Sequence, residues 1–213
     1  MKLVLDNLLL RYPGLAACRE QIWRAAEIMA HSYAEGGKLL IAGNGGSAAD
    51  AEHIVGELMK SFVMPRSLPE GYADALVSCD PAIGSVLRDK LQGALPALAL
   101  DGHFALSTAF MNDCDPLLGF AQQVNGYGRP GDVFLGISTS GNSMNVLYAA
   151  VAAKARGMKT IGLTGQGGGR LGDFCDECIK VPGSGTYEVQ ELHLPVYHCL
   201  CMMLEKHFFG ENI

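Results

Sequence analysis

The sequence predicts an α/β fold: a doubly wound parallel sheet flanked by helices, a flavodoxin-like three-layer arrangement preceded by N-terminal helices. Three observations predict it. Short apolar runs of strand length alternate with helical patterns along most of the chain. The loops that follow the strands are rich in Gly and Ser. The chain has 213 residues, 49% of them hydrophobic, which is enough to bury one sizeable core. Ligand sites are therefore expected at the carboxyl ends of the strands.

The first part of the chain, residues 1–36, is predicted to be helical. Two helical patterns cover residues 2–11 and 15–35, because Pro13 and Gly14 interrupt the periodicity between them. Glycines after residue 35 end the second helix. A short buried strand at 39–42 and a Gly-rich loop follow, and a long helix is predicted from there to about residue 61.

The segment 64–95 interrupts the alternation of strands and helices. It contains three prolines and predicts an irregular, insertion-like stretch with one short helix at about 83–91. We expect it to lie near the active edge of the sheet. Because no linker or internal repeat separates it from the rest, residues 1–213 are predicted to form a single domain.

The second half of the chain returns to alternating strands and helices. Apolar runs predict the remaining strands at 95–100, 133–137, 160–163 and 177–181. Helical patterns predict helices at 104–112, 115–127, 144–154 and 187–208.

Charge and cysteine content exclude several classes of function. A net charge of -6 and a pI near 5.5 argue against a nucleic-acid partner, which needs basic surface. Apolar runs fall far short of the about 20 residues of a membrane span, and the N-terminus lacks a signal sequence, so we expect a cytoplasmic protein. Seven cysteines do not suggest a disulfide framework, and the lone Cys175/Cys178 pair lacks the partners of a zinc site and the context of a redox motif.

The strand at 133–137 runs directly into a loop with four hydroxyl side chains. These residues are Ser138, Thr139, Ser140 and Ser143. A helical pattern begins immediately after them, so free backbone N–H groups and the positive end of a helix dipole meet the hydroxyls. A helix cap alone would need only one such side chain. The loop therefore predicts a phosphate-binding site.

Two Gly-rich loops follow other strands, at 43–47 and 165–169. Neither has the G-x-G-x-x-G or the Gly-Lys-Ser/Thr pattern of nucleotide-binding loops. The first, Gly43-Asn44-Gly45-Gly46-Ser47, should meet the hydroxyl loop at the same edge of the sheet. We expect it to contact a sugar.

His53 and Glu57 lie four residues apart on the helix after that loop, so both side chains share one face. Such a pair can hold a metal or share a proton. The last helix adds Gln190, His193 and His198. Gln190 and His198 are separated by about 12 Å along a regular helix, so spacing alone does not bring them to one ion. His193 is expected to be an interior histidine.

Together these motifs resemble those of the phosphoheptose isomerases of the sugar isomerase (SIS) domain superfamily. The resemblance spans nearly the whole chain and includes Asn112-Asp113 and the block 131–145. It implies that the enzyme interconverts sedoheptulose 7-phosphate and D-glycero-D-manno-heptose 7-phosphate through an ene-diol(ate). It also implies a homotetramer whose active sites are shared between subunits.

The resemblance assigns a role to each matching residue. Ser138, Thr139, Ser140 and Ser143 would hold the phosphate, and Asn44, Gly45, Gly46, Ser47, Asn112, Asp113 and Gln190 would contact the rest of the substrate. His53, Glu57, Gln190 and His198 would match a zinc-associated set, with Glu57 and His198 as the acid/base pair.

Two alternatives stay open at this point. The long 64–95 segment, together with Ala48 and Ala49 after the first loop, could fit the isomerase to another phosphosugar. A non-catalytic relative would bind a phosphosugar or a partner protein but would have lost the acid/base side chains. Because this chain keeps all four zinc-associated residues, the enzyme is favoured.

Overall fold

The computed structural model describes residues 1–210. Within them lie five strands, β1 (Leu39–Ala42), β2 (Ala97–Ala99), β3 (Val133–Ile137), β4 (Lys159–Gly165) and β5 (Glu177–Val181). All neighbouring strands are parallel, and their order in the sheet is β2-β1-β3-β4-β5. This is the flavodoxin-like order, which reverses direction between β1 and β3. The predicted fold class is confirmed, and the loops after β1 and β3 flank the point of reversal.

Helices cover both faces of the sheet. In the described residues they are α1 (Lys2–Arg11), α2 (Arg19–Ala34), α3 (Gly46–Met59), α4 (Glu70–Cys79), α5 (Pro81–Lys90), α6 (Phe104–Asp113), α7 (Gly119–Tyr127), α8 (Met144–Ala155), α9 (Gly169–Phe174) and α10 (Thr186–Phe209). A 3₁₀ turn at Pro13–Cys18 joins the two predicted N-terminal helices. None of the helices within residues 1–210 combines the length and apolar character needed to cross a membrane.

The strands separate two hydrophobic layers. On β3, Val133 and Leu135 face the layer formed with α1, α2, α3 and α10, whereas Phe134 faces the layer formed with α7 and α8. All five residues of β3 are buried, as expected of a central strand covered on both faces. The sheet therefore holds the loop after β3 on a rigid base.

The prediction for residues 64–95 was incomplete. The segment contains two helices, α4 and α5, rather than one. Asp80 caps α5 by accepting hydrogen bonds from the N–H groups of Ala82 and Ile83, and Gly84 lets α5 pass against the backbone of α4. α4 has no buried residue.

The segment also lies at a different edge of the sheet from the one expected. It leads from the end of α3 to the start of β2, where the N–H of Leu95 donates to the carbonyl of Leu58 at 2.9 Å. Because β2 runs parallel to β1 with its first residue beside Leu39, this is the amino edge of the sheet. The predicted position near the carboxyl edge is wrong.

Smaller differences concern the ends of elements. β2 covers only three residues of the predicted 95–100 strand, α7 begins at Gly119 rather than 115, and the short helix α9 was not predicted. All seven cysteines are free thiols. Burial raises the pKa of Cys175 to about 12, which makes this thiol a poor redox nucleophile.

His193 lies in the middle of α10 and is completely buried, as predicted for an interior histidine. Burial lowers its pKa from 6.5 to about 4. Since the folded-state pKa lies below the unfolded one, the unfolded chain takes up this proton first as the pH falls. The stabilisation is therefore complete above pH 6.5 and is lost on the way to pH 4, by about 3 kcal/mol.

Replacing His193 with glutamine should remove this part of the pH dependence. The measurement is the free energy of urea unfolding at pH 7 and at pH 4 for both proteins. We expect the wild type to lose about 3 kcal/mol more than His193→Gln between the two pH values. Equal losses would contradict a neutral, buried imidazole.

Candidate active site

The hydroxyl loop lies between β3 and α8. Ser138 and Ser143 hydroxyls lie 3.0 Å apart, and the N–H of Asn142 donates to the Ser140 hydroxyl at 3.2 Å. α8 begins at Met144, so the N–H groups of Met144 and Asn145 have no acceptor within the helix, whereas that of Val146 donates to Asn145 Oδ1 at 3.0 Å. Hydroxyls, free N–H groups and the positive helix end therefore converge, which is the arrangement that binds a phosphate.

Glycine at position 141 lets this loop pack against the loop after β4. Gly141 has φ +66°, and a Cβ there would lie 1.9 Å from the carbonyl oxygen of Gly168. The neighbouring backbone is also joined, because the N–H of Gly165 donates to the carbonyl of Thr139 at 3.0 Å. The shape of the hydroxyl loop thus depends on its close approach to a second loop.

A pair of asparagines joins the loop after β1 to the start of α8. The Asn44 amide donates to Asn145 Oδ1 at 3.0 Å, and the Asn145 amide donates back to Asn44 Oδ1 at 2.8 Å. Gly45 allows the loop to turn into α3 with φ +57°, and Ser47 is buried. The two predicted substrate loops therefore meet at one edge of the sheet.

A cleft of about 270 Å³ opens beside the asparagine pair. Asn44, Gly45, Ala48, Asp101, Met111 and Asn145 line it. Asp101 carries a buried carboxylate oxygen with no hydrogen-bond partner among the described residues, and burial raises its pKa. The cleft lies at the carboxyl edge of the sheet and is open to a polar ligand.

Three of the predicted acid/base and metal residues form one cluster between α3 and α10. His53 Nε2 lies 3.2 Å from Glu57 Oε1 and 3.4 Å from His198 Nε2. The Glu57 side chain is 13% exposed, and Lys60 contacts its second oxygen at 3.2 Å. Burial lowers the pKa of His198, and His53 lowers it further, which favours a neutral imidazole.

Behind this cluster, a tyrosine joins His53 to a buried carboxylate. Tyr197 Oη lies 3.0 Å from His53 Nδ1 and donates to Asp50 Oδ1 at 3.2 Å. Asp50 and His53 are three residues apart on α3, so they share a face of that helix. His53 is therefore held from behind through its second ring nitrogen.

Within one chain, the acid/base cluster lies further toward the amino edge of the sheet than the substrate loops. α3 begins at the carboxyl edge, and His53 and Glu57 lie about 10 and 16 Å further along its axis. The end of α3 reaches the amino edge, where Leu58 meets Leu95. A single chain thus separates the residues expected to bind the phosphate from those expected to move protons.

The other predicted residues lie apart from the His53 cluster. The Gln190 amide rests against Gly46, where an added Cβ would lie 2.6 Å from Nε2. α10 is continuous over Gln190 and His198, so the expected separation of about 12 Å holds. The Asn112 amide donates to Asp113 Oδ1 at 2.9 Å, and both residues are exposed at the end of α6.

Comparisons with known proteins show which family this chain is similar to. A family model of the SIS domain matches residues 14–74 and 81–165. The phosphoheptose isomerase of Rhodospirillum rubrum is 39% identical over 191 residues, which cover 90% of this chain and 88% of that protein. The phosphoheptose isomerase of Thiobacillus denitrificans is 40% identical over 197 residues, 91% of this chain and 87% of that protein. The solved structure of a phosphoheptose isomerase from Francisella tularensis superposes with a TM-score of 0.75 at 32% identity, covering 92% of this chain and 91% of that one.

The chain belongs to the phosphoheptose isomerase family of SIS domain proteins. This confirms the resemblance seen in the sequence and the class of protein, an isomerase of phosphorylated sugars.

For a member of the phosphoheptose isomerase family, the metal residues are incompletely assembled in one chain. Within residues 1–210, no three His, Cys, Asp or Glu side chains are arranged to hold a metal ion. His53 contacts both Glu57 and His198, but in this part of the chain no hydrogen bond joins Glu57 to His198. The zinc set stays a prediction.

Sequence reasoning missed three residues that organise the candidate site. Asn145 holds Asn44, and Tyr197 with Asp50 holds His53. Asp50 could have been found, because its spacing of three from His53 puts both on one face of α3. Asn145 and Tyr197 act on residues more than 100 positions away, and no local pattern indicates such a pairing.

Proposed function

We propose that the protein interconverts sedoheptulose 7-phosphate and D-glycero-D-manno-heptose 7-phosphate through an ene-diol(ate) intermediate. The observation that carries the proposal is the cluster of His53, Glu57 and His198, which supplies a carboxylate and an imidazole within contact of each other. Curated relatives of this chain are phosphoheptose isomerases. A non-catalytic phosphosugar-binding protein would have no use for such a cluster.

We propose further that the active site is shared between subunits of a homotetramer. Within one subunit, His53 and Glu57 lie about 10 and 16 Å along α3 from the carboxyl edge of the sheet, where the hydroxyl loop and the loop after β1 lie. A neighbouring subunit can bring its own cluster to the loop. In this arrangement Gln190, which lies beside Gly46, would join the cluster of another subunit.

The two loops supply most of the proposed substrate-binding residues. Ser138, Thr139, Ser140 and Ser143, with the first N–H groups of α8, would bind the phosphate. Asn44, Gly45, Gly46 and Ser47 would contact the sugar, together with Asn112, Asp113 and Gln190. The phosphate contacts fix one end of the substrate, which positions the reacting carbons for the acid/base pair.

The isomerisation moves one proton between adjacent carbons and one between their oxygens. The Glu57 carboxylate would accept the proton from one carbon and, after exchange with solvent, deliver a proton to the neighbouring carbon. His198 would donate a proton to the carbonyl oxygen and recover one from the hydroxyl. Negative charge that develops on oxygen needs a nearby donor or cation.

The chemistry of these donor groups suits a zinc ion, although within residues 1–210 no three of them are arranged to hold one. Two imidazoles and a carboxylate are typical zinc ligands. His53 Nε2 lies 3.2 and 3.4 Å from the other two donor atoms, close to the about 3.4 Å that separates ligands around a tetrahedral zinc. His53, Glu57 and His198, with Gln190, would hold the metal. When bound, zinc would polarise the substrate carbonyl.

The test follows the purified full-length protein with sedoheptulose 7-phosphate in D₂O by NMR, with added zinc and with a chelator. We expect an aldose 7-phosphate that carries solvent deuterium at C2, and a loss of turnover after chelation. Binding without turnover would overturn the assignment of this substrate and favour another phosphosugar or a non-catalytic role. Turnover that resists chelation would overturn the zinc proposal alone.

We also propose that the whole chain works as one SIS domain and that the enzyme acts in the cytoplasm. Charged sugar phosphates do not cross membranes freely, so an enzyme that uses them is expected in the compartment where they are made.

A further inference from the structure

Tyr197 occupies an unusual position beside the acid/base cluster. It precedes His198 on α10, but its side chain is only 1% exposed and points into the core. Its hydroxyl contacts His53 Nδ1 on one side and Asp50 Oδ1 on the other, at 3.0 and 3.2 Å. A tyrosine in a core usually needs one hydrogen-bond partner for its hydroxyl, and this one has two charged or titratable partners.

Among the described residues, the Asp50 side chain has one hydrogen-bond partner, Tyr197. Its second oxygen, Oδ2, is buried and has no hydrogen-bond partner among the described residues. Burial raises the pKa of Asp50, and the bond from Tyr197 opposes this by stabilising the charged form. Burying a carboxylate in exchange for a single hydrogen bond is costly. A functional reason for the Asp50–Tyr197 bond is therefore expected.

The direction of the hydrogen bonds follows from the chemistry of the three groups. Tyr197 donates its one hydroxyl proton to Asp50 Oδ1. The Tyr197 oxygen can then only accept from His53, and the proton of a neutral His53 must lie on Nδ1. As a result, Nε2 presents a bare lone pair to Glu57 and His198.

This result explains the contact between His53 Nε2 and Glu57 Oε1. Both atoms are acceptors when His53 carries its proton on Nδ1, yet they lie 3.2 Å apart. Two acceptors at this distance repel each other unless a cation or a proton lies between them. The relay from Asp50 through Tyr197 thus prepares His53 to bind a cation.

We propose that Tyr197 is a positioning residue that, with Asp50, fixes His53 as the Nδ1–H tautomer and aims Nε2 at the metal position. The inference rests on the proposed zinc site for its purpose, but the tautomer itself is a property of the metal-free protein. Outer partners of metal-bound histidines commonly fix the tautomer and orientation of the ring in this way.

The test uses Tyr197→Phe and Asp50→Asn in the full-length protein. Long-range ¹H–¹⁵N spectra of metal-free protein with ¹⁵N-labelled histidine report the tautomer, and His53→Gln assigns the His53 signals. Zinc affinity is measured by competition with a chromophoric chelator. The matched control is Tyr33→Phe, which removes a hydroxyl that donates to the Pro96 carbonyl at 3.2 Å outside the site.

We expect the wild type and Tyr33→Phe to show His53 with Nδ1 protonated and Nε2 bare. Tyr197→Phe should give mixed tautomers and bind zinc about 10-fold or more weakly, and Asp50→Asn should change both in the same direction. Unchanged tautomer and zinc affinity in Tyr197→Phe would overturn the inference. Loss of the tautomer in a protein that binds no zinc at all would support the positioning role and refute the proposed zinc site.

Discussion

Replacement of Glu57 by glutamine should lower kcat for the isomerisation by about 10²- to 10⁴-fold, the usual contribution of a general base. Glutamine keeps the size of the side chain and can still reach His53, but it cannot take a proton from carbon. The measurement is the initial rate of aldose formation by NMR at saturating substrate. Substrate affinity should change little, because the predicted phosphate contacts lie in another part of the molecule.

The control for Glu57→Gln is Glu52→Gln on the same helix. Glu52 is exposed and lies outside the His53 cluster, so the same chemical change there should leave kcat unaltered. If Glu57→Gln retained wild-type turnover, another group would have to be the base. Measuring its zinc content separates loss of a base from loss of a ligand, since a zinc-loaded but inactive variant identifies a base.

Arg66→Met should reduce the free energy of unfolding by about 3–5 kcal/mol, the cost of leaving one member of a buried ion pair alone. The side chains of Arg66 and Glu205 are both 0% exposed, and Arg66 Nε donates to Glu205 Oε1 at 2.8 Å. Glu205 also accepts from the N–H groups of Phe62 and Val63 at 2.8 and 3.0 Å. Without the guanidinium, this carboxylate would stay buried and uncompensated.

Urea unfolding of Arg66→Met measures the effect, with Arg24→Met as the control. Arg24 pairs with Glu20 at 3.2 Å, but both side chains are at least 60% exposed, so its loss should cost less than about 1 kcal/mol. The double variant Arg66→Met/Glu205→Leu should be less destabilised than Arg66→Met, because no charge is then left unpaired. Equal stability of Arg66→Met and Arg24→Met would contradict this account.

The sequence was sufficient to predict the sheet because its central strands are continuous apolar runs. Val133–Ile137 is followed immediately by hydroxyl residues and a helix, so strand, loop and helix each have a clear local signal. α4 and α9 were missed for the opposite reason. α4 buries no side chain, and α9 has only six residues, which is too short to show a clear apolar periodicity.

The candidate site likewise contains some residues that local sequence patterns predict and others that they do not. The hydroxyl loop and the His53–Glu57 pair are local motifs, and the helical rise correctly kept Gln190 apart from His198. The bond between Asn44 and Asn145 spans 101 positions, and that between His53 and Tyr197 spans 144. Such contacts depend on how the loop after β1 meets α8 and on how α3 packs against α10, which no single segment encodes.

The reciprocal amide bonds of Asn44 and Asn145 have a consequence for the energetics of binding. Each side chain provides hydrogen-bond partners for the amide of the other before any ligand binds. The loop after β1 is therefore already joined to the start of α8 in the free protein. Ordering a mobile loop or side chain on association costs free energy that reduces affinity. A phosphosugar that enters this site therefore meets a pre-organised surface, and more of its contact energy remains available for orienting the reacting carbons.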